Sequence, residues 1–380
     1  MAERNRQLLL NLVQKEGNNV CAECSAAGPE WASCNLGIFL CPDCAQNHRG
    51  LGTDISRVKN INIDNWEDNQ LQALTEIGNE RARRVHEQFL PPFYRNPSQG
   101  KCSILRNEWI LAKYVRREFS DPDKQTAYCS HIKEGYLMKR GKRDKRFQKR
   151  KFILSKSENK FIYYNRENNP KSKAEIDLDF LNAVFTPEKI GNPNGLQITF
   201  FEGGSTRNMF LYSENRKDIV DWYMAIRAAK YERKKIAFPE KDDSFLTEDL
   251  TRDFLIEGWM YKCGPRNEPY RKRWFTLDRR KLMYLEDPLD PYAKGEIFVG
   301  HRDSKYSIEA GAPPGKAGPG HSFTLHTPTR TFYMCVDSKD EMDQWVSVLK
   351  KVIDMPISPQ DTKIASLLEP KRSSGGMFSR

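Results

Sequence analysis

The chain has 380 residues, enough for two or three domains, and its 38% hydrophobic and 30% charged content suits folded domains under well-solvated surfaces. No run of apolar residues reaches the roughly 18 that a membrane helix needs. The charged start MAERNRQLLLNLVQKEGNN has neither the apolar core nor the cleavage site of a signal peptide, so the sequence predicts a cytosolic protein. A formal charge of +11 predicts an anionic partner, whether nucleic acid, lipid surface or acidic protein.

A broken apolar stripe over residues 5–18 predicts a short helix leading into a cysteine cluster. Cys21 and Cys24, sixteen residues, then Cys41 and Cys44 form two C-x-x-C pairs; Cys34, Cys102, Cys129, Cys263 and Cys335 are scattered. An odd total containing two such pairs reads as metal binding in a reduced protein, not as a disulfide framework. Four thiolates can close the tetrahedral shell of one Zn2+, leaving no position for a reactive water, so the predicted zinc is structural.

From Asp64 to Phe119 apolar residues recur three and four apart, and Pro91-Pro92 and Asn96-Pro97 divide the helices. Residues 5–122 thus form one helix-rich unit. After Asp121-Pro122 short β-rich runs (KFILS, KFIYYN, LQITFF, NMFLYS) precede a long helical stretch, and the same order recurs later. Gly135 and Gly258 stand 123 residues apart, as do Lys139 and Lys262, Gly141 and Gly264, Arg150 and Arg273, Phe152 and Phe275, and Trp222 and Trp345. Tyr163 and Tyr284 stand 121 apart, so loops inside each copy differ in length. This is a duplicated domain, over 130–233 and 253–356. Residues 238–252 read as a linker with a turn of helix, GAPPGKAGPG (311–320) as an exposed excursion, and 357–380 as a disordered tail.

The surroundings of the cysteines carry a specific resemblance. Trp31-Ala32-Ser33, Asn35-Leu36-Gly37, His48-Arg49, Leu51-Gly52, Ile55-Ser56, Asp64-Asn65-Trp66, Gly78-Asn79 and Trp109-Ile110-x-x-Lys113-Tyr114 are similar to the Arf GTPase-activating module over about 115 residues. The resemblance implies that Arg49 is an arginine finger acting on the GTP of an Arf-family GTPase, with Trp31 and Asn35 supporting it. Ala45-Gln46-Asn47 departs from the family's Ser-Gly-aliphatic pattern there, and Gln46 replaces the glycine. His48 and Trp66 read as packing residues.

Each β-rich copy resembles a PH domain, a bent seven-stranded sandwich closed by a helix that carries Trp222 or Trp345. The implied fold is therefore multidomain α+β, with a four-cysteine zinc-finger module followed by two PH-type sandwiches. PH domains that bind 3-phosphorylated inositol lipids share a Lys-x-small, loop, Lys/Arg-x-Arg pattern. It occurs as Lys262-Cys263-Gly264 with Arg271-Lys272-Arg273, and as Lys139-Arg140-Gly141 with Gln148-Lys149-Arg150, where Gln148 departs and Lys149 is expected to compensate. Antiparallel pairing lets the lysine and the last arginine converge on several phosphates, with Tyr163 and Tyr284 as hydroxyl donors. From Lys139 to Lys151 nine of thirteen residues are Lys or Arg, a run suited to an anionic leaflet or to nuclear import.

The order of modules resembles the centaurin-alpha family, Arf-GAPs with dual PH domains. That resemblance implies recruitment to the plasma membrane by phosphatidylinositol trisphosphate and binding of soluble inositol tetrakisphosphate; the basic run over 139–151 leaves nuclear residence open as well. The rival reading is a non-catalytic membrane adaptor whose zinc module docks a protein, which Gln46-Asn47 favours. A nucleic-acid-binding zinc protein accounts for the charge but leaves the duplicated pattern unexplained.

Overall fold

The computed structural model describes residues 2–99, 102–165, 171–264 and 269–368. The first unit opens with α1 (Ala2–Val13) and a small antiparallel sheet of β1 (Trp31–Ser33), β2 (Ile38–Leu40) and β3 (Val58–Asn60), in the order β2-β1-β3. Helix α2 (Pro42–Arg49) follows β2, and α3 (Asp68–Glu76), α4 (Gly78–His86) and α5 (Ser103–Ile110) surround the sheet. A π-helical stretch continues α5 over Leu111–Arg116. The stripe expected over 5–18 ends earlier, at Val13, because the Asn18 side chain turns back to donate to the Leu12 carbonyl at 3.1 Å. Leu9 and Leu12 of α1 bury against Phe39, Leu71 and Leu74. Gly37 turns β1 into β2 at a φ of +67°, where a Cβ would meet Ile77 Cβ at 2.7 Å, so only glycine fits.

A short helix α6 (Thr126–Cys129) leads into a seven-stranded sheet: β4 (Ile132–Arg140), β5 (Phe147–Ser155), β6 (Lys160–Tyr164), β7 (Ala174–Asp177), β8 (Asn182–Phe185), β9 (Gly195–Glu202) and β10 (Ser205–Tyr212). The order is β7-β6-β5-β4-β10-β9-β8, every pair antiparallel. One turn, α7 (Pro187–Ile190), joins β8 to β9, and α8 (Arg216–Ala237) closes the sandwich. After α9 (Asp243–Thr247) the pattern repeats as β11 (Ile256–Lys262), β12 (Arg271–Asp278), β13 (Lys281–Leu285), β14 (Gly295–Phe298), β15 (Ser307–Ala310), β16 (His321–His326) and β17 (Thr331–Val336), closed by α10 (Lys339–Asp354). Trp222 and Trp345 are buried in the two cores. Each lies over the matching glycine: a Cβ on Gly135 would stand 3.2 Å from Trp222, which explains the paired Gly and Trp of the repeat.

Residues 238–252 are not a loose linker. Leu246 and Leu250 are fully buried, in the same core as residues of the first unit and of the first sandwich. Arg95 reaches Tyr223 Oη at 2.8 Å and the Asp253 carboxylate, and Arg227 donates to the Phe93 carbonyl at 2.7 Å. The sandwiches also touch: Asn208 N donates to the Pro291 carbonyl at 2.8 Å, and Thr206 N to Glu296 Oε1 at 2.7 Å. The excursion over 311–320 carries no regular element.

The tail requires a correction. Residues 359–368 form α11 (Pro359–Leu368) instead of belonging to a disordered segment. Asp361 is buried between Arg279 Nε at 2.6 Å and Arg280 Nε at 3.1 Å, and Ser358 and Asp361 cap one another. Two arginines about eighty positions upstream hold the helix, a pairing that the tail's own composition does not announce. The terminal stretch over 369–380 and the 265–268 part of the second basic loop lie outside the described residues.

Candidate functional site

The four cysteines converge. Cys21, Cys24, Cys41 and Cys44 place all their sulfurs within 4.8 Å of one another, with Cys24 Sγ 3.5 Å from Cys41 Sγ. A 2.3 Å Zn–S bond at tetrahedral angles separates sulfurs by about 3.8 Å, so the donor set fits Zn2+ in both chemistry and spacing. The mutual contacts push the Cys21 and Cys44 thiols up and pull Cys24 and Cys41 down. Four thiols at this distance cannot all ionise without a cation among them.

Helix α2 starts directly after Cys41 and carries Cys44, so the cluster fastens its first turn; Arg49 is its last residue. The Arg49 side chain is exposed, and its guanidinium carbon lies 4.2 Å from the centre of the Trp31 ring on β1. Among the described residues no carboxylate pairs with it. Stacking on an aromatic face restricts the guanidinium while leaving its N–H edge free. Asn35 does not bond Arg49. Its Oδ1 accepts from Arg57 N at 2.7 Å and its Nδ2 donates to the Ile55 carbonyl at 3.0 Å, fixing the loop that follows α2. Gln46 is exposed, while Asn47 ties α2 to α5 by accepting from Asn107 Nδ2 at 3.0 Å.

Under this surface lies a buried polar network that the sequence reading passed over. Glu23, between the first two cysteines, accepts from Tyr114 Oη at 2.7 Å, Trp109 Nε1 at 2.8 Å and Lys113 Nζ at 3.1 Å. Lys113 also meets Glu87 at 2.7 Å. His48 is fully buried beside it, with Nε2 3.5 Å from Glu23 and Nδ1 3.0 Å from Ser56 Oγ. Burial opposes ionisation of Glu23, but Lys113 and then His48 outweigh it and hold the carboxyl well below its usual range. His48 is thus a packing residue, and the network bolts the cysteine loop to α5 beneath Arg49. Trp66 is likewise buried, donating to the Asn60 carbonyl at 3.1 Å.

The second feature is a basic pocket on each sandwich. In the first, Lys139 Nζ lies 5.0 Å from the Tyr163 ring centre, and Arg150 sits on the same face of β5. Burial, then Arg207 and Arg150 nearby, draw Lys139 down to about 8. In the second, Lys262 Nζ lies 5.0 Å from the Tyr284 ring, and Arg271 and Arg273 share its face through the pairing of Lys262 with Arg271. Arg150 and Arg273 each donate to the preceding residue's carbonyl, at 3.1 and 2.9 Å, so the copies agree in detail.

Lys149 is the exception among the expected residues. Side chains alternate along a strand, so Lys149 lies on the opposite face, 4.6 Å over the Tyr136 ring, and cannot compensate for Gln148. Lys272 does the same over Tyr261 at 5.1 Å. The cation that joins Lys139 is instead Arg207 on β10, which interacts with Tyr163. Its signal was the repeat itself, since Arg330 stands 123 residues further on. The second sandwich also lends an edge to the first pocket: Tyr292 lies 4.4 Å from Lys142 Nζ and 5.7 Å from Arg207, and Arg140 donates to the Leu289 carbonyl at 3.0 Å.

Comparison with known proteins agrees with this division. A family model described as putative GTPase activating protein for Arf matches residues 6–123, and the PH domain model matches 131–231 and 254–354. The human Arf-GAP with dual PH domain-containing protein 2 is 42% identical over 98% of this chain and 99% of its own length. The mouse protein of that name is 40% identical over 94% and 95%. Among solved structures, the ArfGap domain of HIV-1 Rev binding protein is 22% identical over 33% of this chain and 92% of its own, with a TM-score of 0.29. Matched from end to end at this identity, the chain belongs to the family of Arf-GAPs with dual PH domains.

Proposed function

We propose that the protein stimulates GTP hydrolysis by an Arf-family GTPase by supplying Arg49 in trans, while its two PH pockets hold it on phosphoinositide-bearing membrane. The observation that carries this reading is the exposed Arg49 guanidinium, stacked on Trp31 and free of any carboxylate among the described residues. Hydrolysis spreads negative charge over the γ-phosphoryl oxygens and the leaving oxygen, and a positioned trans arginine raises the rate about 10^3–10^5-fold. Trp31 limits the side chain's freedom, Asn35 holds the adjoining loop, and the Glu23–Lys113–His48 network supports the base of α2. Lysine lacks the planar fork needed to meet two oxygens at once.

Cys21, Cys24, Cys41 and Cys44 are the residues that hold Zn2+, which supplies folding energy and no chemistry. Lys139, Arg150, Tyr163 and Arg207 in the first sandwich, and Lys262, Arg271, Arg273 and Tyr284 in the second, offer clustered donors to adjacent phosphates. This donor set supports phosphatidylinositol trisphosphate and soluble inositol tetrakisphosphate as ligands, and hence a cytoplasmic protein recruited to the plasma membrane. Two pockets on one body add avidity. The test is GTP hydrolysis by purified Arf on liposomes with and without the trisphosphate lipid. Stimulation that needs both Arg49 and the lipid is expected; stimulation by Arg49→Lys equal to wild type contradicts the reading.

A further inference from the structure

A cavity of about 590 Å³ lies apart from both basic pockets, where the first sandwich, the residues before β11, β13 and α11 meet. Beside polar residues it has an apolar side, formed by Phe200 and Phe201 of β9, Phe238 after α8, and Ile364 and Leu367 of α11. Phe180 and Phe238 stand at its lip, 38% and 43% exposed, with Lys363 Nζ of α11 4.4 Å from the Phe180 ring and Phe245 of α9 edge-on against Phe238.

Three cations of the cavity come from separate elements. Lys230 projects from α8, Lys281 from β13 and Arg252 from the segment between the sandwiches. Arg252 is compensated, 3.4 Å from Asp278 and 3.6 Å from Asp249. The lysines are not. Lys230 Nζ donates to the Leu181 carbonyl at 2.6 Å and Lys281 Nζ to Thr206 Oγ1 at 2.8 Å, and neither has a carboxylate partner among the described residues. Each ammonium has three donors, so further hydrogen bonds remain to be made beside apolar walls. Burial and then Arg252 draw Lys230 down to about 7, and burial lowers Lys281 against the opposing pull of Asp278 and Glu296. Six cationic residues line the cavity against Asp179, Asp249 and Asp278, so positive charge is in excess there.

We propose that this cavity binds a single-chain anionic amphiphile of the fatty-acid class, its carboxylate held among Lys230, Arg252 and Lys281 and its chain laid along the phenylalanine and α11 walls. Charge complementarity selects the head, and the aromatic lip and walls select the chain. The volume falls within the range of roughly 300–1,000 Å³ usual for small-molecule sites. An inositol phosphate would satisfy the cations but leave the walls facing a polar ring. An apolar peptide would leave the lysines without partners. The site involves neither Arg49 nor either PH pocket, so it stands or falls separately from the proposed activity.

The test is calorimetric titration of the full chain, zinc-loaded, with oleate at monomeric concentrations. Saturable binding of one oleate per chain is expected, at least tenfold tighter than oleyl alcohol and than octanoate. Filling the PH pockets with soluble inositol tetrakisphosphate should leave the oleate affinity unchanged. Lys230→Met with Lys281→Met should weaken oleate at least tenfold, with an unaltered far-ultraviolet dichroism spectrum showing that the fold persists. Leu367→Asp, on the wall supplied by α11, should weaken it similarly. Absence of saturable binding, equal affinity for oleate and oleyl alcohol, or competition by the inositol phosphate would each overturn the proposal; the first three comparisons need only the wild-type chain.

Discussion

Replacing Lys113 by Met tests the network beneath Arg49. Lys113 is 1% exposed and its ammonium lies between Glu87 at 2.7 Å and Glu23 at 3.1 Å, with Glu23 0% and Glu87 9% exposed. Removing one partner of a buried ion pair costs about 3–5 kcal/mol, because the surviving charge is left unpaired. The bonds to Glu23 from Tyr114 and Trp109 survive the change, which sets the expected loss near the lower end, about 3 kcal/mol. Urea unfolding of the zinc-loaded chain, followed by tryptophan fluorescence, reads this directly. With a slope of roughly 2–3 kcal/mol/M the midpoint falls by about 1–1.5 M. Adding Glu23→Gln to the same chain neutralises the stranded carboxylate and should recover a large part of the loss. A midpoint within about 0.3 M of wild type for the single variant would refute the claim that this network bolts the cysteine loop to α5.

The strand faces separate two neighbouring cations: Arg150→Ala should weaken trisphosphate-liposome binding by the isolated action of the first pocket about tenfold or more, given the usual worth of charged hydrogen bonds, whereas Lys149→Ala should change it less than threefold. Head-group affinity should also depend on pH. Lys139 titrates near 8 in the free protein, and a bound phosphate raises that value, so binding takes up a proton and weakens by up to about tenfold between pH 7 and 9. Lys139→Arg should flatten the profile, as measured by calorimetry with the soluble head group. Removing zinc with a chelator should unfold the first unit, seen as loss of amide protection over α2 and β2, while β12 and β16 in the second sandwich stay protected.

Much of this was open to reading from residues alone. The cysteine spacing announced a metal site because two C-x-x-C pairs have few other uses in a reduced chain, and the 123-residue offset announced the duplication because Gly135 and Trp222 recur as a packed pair. Lys149 belongs to the basic pattern but not to the pocket, because the period-two alternation of β5 places it on the face opposite Arg150. Glu23 and Lys113 were hidden for a different reason. A charged residue beside cysteines reads as solvated, and only the fold brings Lys113 ninety positions back to meet it. The burial of Leu246 and Leu250, the Arg95–Asp253 pair and the approach of Tyr292 to the first pocket are equally long-range. For α11 the local signal was short, the Ser358-Pro359-x-Asp361 start, and the arginines that hold Asp361 come from far upstream.

The most direct measurement is single-turnover hydrolysis of GTP on Arf, with liposomes carrying the trisphosphate lipid, comparing wild type, Arg49→Lys and Trp31→Ala. The account predicts that the lysine variant loses about 10^3-fold or more of the stimulation, and that the Trp31 variant, which keeps the guanidinium but frees it, falls between the two. Equal stimulation by wild type and Arg49→Lys, with both bound equally to the liposomes, would contradict it.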